Sequence, residues 1–235
     1  MKINCFWEHN GSDTLLYATE YIGAYTRGEN LTTAIKKMPK EIMSYSNWCG
    51  GNISGDIEIV IMEEKESALN IADADSDALF ESEKLPLTRQ EYENLKKLAL
   101  KSAHDFLTLY KSIPNKDKDK AIDIKRKTFY GQVPRTANEM YLHTKNVNEY
   151  YFAEIEVDSN NNGNIYECRK HGFKALEQKT NFLQNTVMRG SYDEGWTIRK
   201  VIRRFIWHDR IHAKAMYRLA IKLYGTENVK NLFFF

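Results

Sequence analysis

The period of the apolar positions changes along the first eighty residues. Ile3 to Trp7 is a short β-type run, and Thr14 to Ala24 contains a second one, Leu-Leu-Tyr-Ala-Thr-Glu-Tyr-Ile, rich in β-formers. Thr26 to Asn30 has the composition of a turn. From Leu31 the spacing becomes helical, with Leu31, Ala34, Ile35, Met38, Ile42 and Tyr45 recurring at three and four, and Pro39 marking a place for a bend. Asn47 to Gly55, punctuated by Gly50-Gly51, reads as a loop, and Asp56 to Met62 as a third strand. The acidic stretch Ala72 to Glu83 reads as a surface segment that touches apolar neighbours through Leu79 and Phe80.

Leu85-Pro86-Leu87-Thr88 marks a boundary. Thr88 with Glu91 three residues on is a capping box, and the helix it opens carries Tyr92, Leu95, Leu98, Ala99, Ser102, Phe106 and Leu109 on one face before Pro114. Asn115 to Lys127 is highly charged and reads as a solvated connection. Pro134-Arg135-Thr136-Ala137 opens a second helix with Met140, His143, Thr144, Val147, Tyr150 and Tyr151 along it. Asp158 to Asn164 is a loop, and Cys168 to Thr186 reads as a third helix. After a loop bracketed by Gly190 and Gly195, Trp196 to Tyr224 is a long periodic helix stopped by Gly225. The expected fold class is α+β: residues 1–84 form a small unit of β-sheet plus one helix, and residues 85–235 form a four-helix bundle.

Composition narrows the function classes. Lys+Arg is 34 and Asp+Glu 32, so the net charge of +2 gives no reason to expect nucleic acid or an anionic membrane as partner. No run approaches the roughly 20 apolar residues of a membrane span, and the amino terminus has no leader pattern, so a cytoplasmic location is expected. Cys5, Cys49 and Cys168 lack C-x-x-C spacing; buried thiols are expected rather than disulfides or a thiolate zinc site.

The candidate chemistry lies in the histidines. His208 and His212 form an H-x-x-x-H pair, which on a helix shares one face with Cβ atoms about 5–6 Å apart. The pair falls on an apolar face among Phe205, Ile211 and Ala215. Two core histidines bonded to backbone or carboxylates remain the alternative, because buried imidazoles need partners. His143 lies on the inward face of another helix. Three inward imidazoles on two helices are the usual ligand set of an open metal site and suit Zn, Ni, Cu or Fe(II) better than Mg or Ca. Glu139, one turn before His143, is the candidate catalytic base or ligand-orienting carboxylate. Asp209, turned about 100° from His208, together with Arg203 and Arg204, is expected on a solvated face. Tyr150, Tyr151 and Trp207 are expected to be packing residues. His104 is a weaker candidate ligand, and His9 and His171 are expected at the surface.

Two stretches carry a family likeness: Pro134 to His143, and Arg203-Arg204-Phe205-Ile206-Trp207-His208-Asp209-Arg210-Ile211-His212. They resemble the second and last helices of the DinB/YfiT-like superfamily of bacterial four-helix bundles. The resemblance implies a divalent metal on His143, His208 and His212, often nickel or zinc. It also implies a metal-dependent hydrolase, or a transferase that activates a low-molecular-weight thiol, acting on a small-molecule substrate, commonly as a homodimer. Sulfoxide-synthase relatives extend the pair to H-x-x-x-H-x-E; here that position is Lys214, which leaves the iron-dependent reading unsupported. A metal-binding or sensing module without turnover stays open as an alternative. In residues 1–84, Tyr25 to Ile35 resembles the strand-turn-helix of HicB-like antitoxin domains. That likeness implies a small sheet with one helix across it, acting as an accessory unit, or an interaction protein of toxin–antitoxin type.

Overall fold

The computed structural model describes residues 1–73, 75–119, 127–128 and 131–235, the side chains of 127, 128 and 131 excepted. It is a mixed α/β structure of five helices and a four-stranded sheet, with two short two-stranded ladders. Residues 120–126 of the expected charged connection lie outside the described residues.

Strand β1 (Lys2–His9) pairs antiparallel with β2 (Thr14–Ala18), which pairs antiparallel with β3 (Tyr25–Gly28). Helix α1 (Leu31–Trp48) then crosses over, and β4 (Glu58–Glu66) returns parallel to β1, giving the order β3-β2-β1-β4. Two expectations shift. The second strand stops at Ala18, because the Ala24 amide donates to the Tyr21 carbonyl at 2.7 Å and Gly23, at φ +87°, reverses the chain. That reversal makes Tyr25–Gly28 a strand, β3, so the turn expected from Thr26 begins only after Gly28. Asn30 caps α1 through the Thr33 amide, and the helix runs through Pro39.

Both faces of the sheet are covered at its centre, where β2 is buried along its whole length, whereas the edge strand β4 alternates between half-buried and exposed positions. Ile3, Cys5, Leu16 and Ala18 pack with Ala34, Met38 and Ile42 of α1. On the opposite face, Phe6, Leu15 and Tyr17 meet Phe80, Ala78 and Trp207. The acidic stretch after residue 70 is therefore not a surface segment: Ser76, Ala78, Phe80 and Glu83 are all buried, and Phe80 stacks on Phe6 with ring centroids 4.5 Å apart. One of its acids, Glu83, accepts from the buried Arg203 at 2.5 Å and 3.1 Å.

Helices α2 (Arg89–Ser112), α3 (Ala137–Ala153), α4 (Ile165–Leu176) and α5 (Ile198–Tyr224) pack so that α5 and α4 each lie against both α2 and α3. The Thr88–Glu91 capping box opens α2, and equivalent boxes open α3 (Thr136–Glu139) and α4 (Asn164–Glu167). The third helix thus starts earlier than expected. It also stops at Leu176 rather than Thr186, because Asn181 and Asn185 adopt left-handed φ of 57° and 54°, which a helix cannot accommodate. Cys5 and Cys168 are buried as expected, but Cys49 is exposed at the end of α1.

No apolar division separates the two expected units: one core contains α1, the sheet and all four later helices. Trp48 of α1 donates to Asp105 of α2 at 2.8 Å, and Glu41 of α1 accepts from Arg210 of α5 at 2.6 Å. Helix α5 is the shared element. Every residue from Lys200 to Arg210 is buried, because α2 and α3 cover one side and the sheet with its 70–83 segment covers the other. This overturns the solvated face assigned to Arg203, Arg204 and Asp209. Asp209 receives two bonds from Arg169 of α4, at 2.5 Å and 3.0 Å, and one from Ser102 at 2.6 Å.

Candidate metal centre

The three histidines come together where α3 passes α5. The cap at Thr136 fixes the start of α3 and hence its rotation, turning Met140, Thr144 and Tyr151 into the core and His143 toward α5. One helical turn separates His208 from His212 on the facing surface. Ring centroids lie 5.0 Å apart for His143–His208, 4.7 Å for His143–His212 and 4.5 Å for His208–His212. One nitrogen of each ring lies within 4.8 Å of the other two.

Burial sets the charge of this cluster. Desolvation pushes the His143 imidazole below its usual range and takes His212 down to about 3, with His143 adding to the effect. His208 is driven well below the usual range by desolvation, then by its two histidine neighbours and by Arg204 and Arg169. At neutral pH the three rings are therefore uncharged and keep lone pairs for a cation.

The donor set fits a transition metal. The Nε2 atoms of His143 and His208 are 3.2 Å apart. Two metal–nitrogen bonds of about 2.1 Å at a tetrahedral angle span roughly 3.4 Å. Three neutral nitrogens with no carboxylate or thiolate match Zn, Ni or Fe rather than a hard cation. One feature departs from the usual ligand pattern. Nδ1 of His208 is buried without a hydrogen-bond partner among the described residues, so no acceptor fixes that ring's tautomer.

A cavity of about 270 Å³ opens onto the cluster. Tyr150, Tyr151 and Trp207, expected to be packing residues only, line it along with Val147 and Ile211. Arg204 also lines it and is buried, its guanidinium lying over Trp207 at 4.7 Å and donating to the Ser76 carbonyl at 2.9 Å. Arg27 reaches the cavity from β3, held by Asp13 and the Ala72 carbonyl. Helical spacing could have indicated Arg204 and Ile211, four before and three after His208. Nothing in the sequence pointed to Arg27.

Glu139 does not face the histidines through any hydrogen bond. Its carboxylate accepts from the Arg135 and Thr136 amides at 2.6 Å and 3.1 Å, closing the α3 cap. His104 is exposed and bonds Asp105, away from the cluster, and His171 is exposed on α4. His9, expected at the surface, is instead partly buried at the end of β1, stacked on Trp7 and 3.1 Å from Glu64. Among the described residues no helix is long and apolar enough to cross a membrane. Set beside known proteins, the chain matches no family model, no curated protein and no solved structure.

Proposed function

We propose that this chain is a metal-dependent enzyme of the DinB/YfiT-like kind, a hydrolase or a thiol S-transferase acting on a small molecule. His143, His208 and His212 would hold a divalent Zn, Ni or Fe. One observation carries the reading: three uncharged imidazoles from two helices converge at a cavity rather than in closed packing.

A bound ion would supply Lewis-acid polarisation and make a water or a thiol acidic near neutrality. The chain itself supplies the surroundings. Tyr150, Tyr151 and Trp207 exclude bulk water from the cavity wall, which strengthens electrostatic interactions inside it. The Arg204 and Arg27 guanidiniums favour a substrate carrying negative charge, or charge that develops during reaction. The Glu139 carboxylate is engaged by the cap of α3, so this reading gives it no proton-transfer role. The sheet layer acts as an accessory wall, burying the far side of α5 and so fixing how His208 is presented.

The test is elemental analysis of untagged protein beside His208→Ala. About one transition metal per chain, reduced at least tenfold in the variant, supports the reading. Metal-free protein that takes up neither Zn nor Ni refutes it and leaves the histidines as core residues. Loaded protein should then turn over thiol-acceptor or hydrolysable substrates. A loaded protein inert to both classes would favour the sensing module.

A further inference from the structure

Beside the metal cavity lies a groove of about 600 Å³ between α1 and α5. The α1 wall is Lys37, Lys40, Glu41 and Ser44; the α5 wall is Lys214, Tyr217, Arg218 and Ile221. Each set is spaced i, i+3, i+4, i+7, the stripe by which packed helices ordinarily meet through apolar side chains. Here both stripes are basic and the helices leave a space between them. Tyr25, Thr26 and Arg27 of β3 and Phe235 also line it.

The groove's charge is unbalanced. Its side chains include the cations Lys37, Lys40, Lys214 and Arg218, with Arg27 already paired to Asp13, and one acid, Glu41. That acid is already committed, to Arg210 at 2.6 Å and to Lys214 at 3.1 Å. Lys40 and Arg218 are exposed and have no acidic partner among the described residues. Like charges gathered on facing stripes repel, and an anion between them relieves that cost. Three aromatic rings, Tyr25, Tyr217 and Phe235, stand among the cations. The size falls within the roughly 300–1,000 Å³ of small-molecule sites. The walled shape, with a net charge of only +2, differs from the broad basic face that a nucleic-acid strand requires.

We infer that this groove binds a phosphate-bearing small molecule of the nucleotide class, its phosphates on Lys37, Lys40 and Arg218 and its base against the aromatic rings. Arg27 lines both this groove and the metal cavity, so the ligand lies next to the histidine site. The inference is independent of the metal reading.

Calorimetric titration of the full chain with ADP and with inorganic pyrophosphate tests it. ADP should saturate, bind more tightly than pyrophosphate, and weaken as salt is raised. The double variant Lys40→Glu/Arg218→Glu changes exposed positions; it should keep its melting temperature and lose ADP affinity by roughly tenfold or more. Lys170→Glu, on exposed α4 surface, and His208→Ala should leave ADP binding unchanged. No saturation at millimolar ADP, or undiminished binding by the double variant, overturns the inference. So does loss of binding in His208→Ala alone, which would place the nucleotide in the metal cavity. Pyrophosphate binding as tightly as ADP, or a single-stranded oligonucleotide binding where ADP does not, would overturn the ligand class.

Discussion

Replacing Asp209 with Asn tests whether the buried charges of α5 are arranged as described. Asp209 and Arg169 are both fully buried and form two parallel bonds, at 2.5 Å and 3.0 Å. Arg169 has other partners, the Asn148 side chain at 2.9 Å and the Ala99 carbonyl at 3.1 Å, but both are neutral. Asp209→Asn keeps the shape and one acceptor and leaves the guanidinium buried without a counter-charge. Breaking one side of such a pair costs about 3–5 kcal/mol. For a chain of this length each kcal/mol lowers the melting temperature by about 2–4 °C, so a fall of about 10 °C is expected. Urea denaturation with chelator present measures the free energy without metal linkage. The double variant Arg169→Met/Asp209→Leu removes both charges together. It should be more stable than either single variant, because apolar replacement of a buried pair is often neutral whereas an orphaned charge is not. A loss below about 1 kcal/mol in Asp209→Asn, or simple additivity in the double, would refute the assignment.

Three other outcomes follow from particular contacts. Zn or Ni added to metal-free protein at about 100 times Kd should raise stability by about 2.7 kcal/mol, and a shift of the same size in His143→Ala would remove that ion from the histidines. Gly172→Ala should destabilise by about 1–3 kcal/mol despite alanine's better helix propensity, because its Cβ would meet the Phe152 ring at 2.0 Å; a more stable variant in chemical denaturation would contradict that packing. Lys200 is buried beside Glu194, and desolvation, helped by Arg203 and Arg204, lowers its pKa to about 8 against the opposing pull of Glu194. The unfolded chain holds that proton to about 10.4, so it binds more protons than the folded chain between the two values, and stability rises with pH there. Relative to Lys200→Met, the wild type should gain about 2 kcal/mol between about pH 7 and 9.5, and a flat difference would show that Lys200 is not held this way.

Local chemistry was legible wherever it acts within one helical turn. The capping box at Thr88 and Glu91, the stop at Gly225 and the i, i+4 placement of His208 and His212 follow from the geometry of a single helix, and the structure has them at those positions. His143 joined them because the apolar period around it already showed which way it faces. Glu139 carries two local signals at once. Three residues after Thr136 it completes a capping box while lying one turn before His143, and its carboxylate accepts from the two backbone amides at the start of the helix.

The surroundings of α5 were decided by tertiary structure alone. A sequence rich in Lys and Arg reads as solvated, because burying an unpaired charge is so costly. Here three of the buried charges meet partners far along the chain: Arg203 with Glu83, Arg210 with Glu41 and Asp209 with Arg169. Those partners become neighbours only when the sheet and its following segment fold over one side of α5 and α4 approaches through α2. The same covering turns Trp207 and Arg204 toward the histidines and leaves the basic stripes of α1 and α5 facing each other. The sequence by itself determined which side chains share a helix face; which faces meet water, and which meet each other, depended on long-range packing that no local pattern encodes.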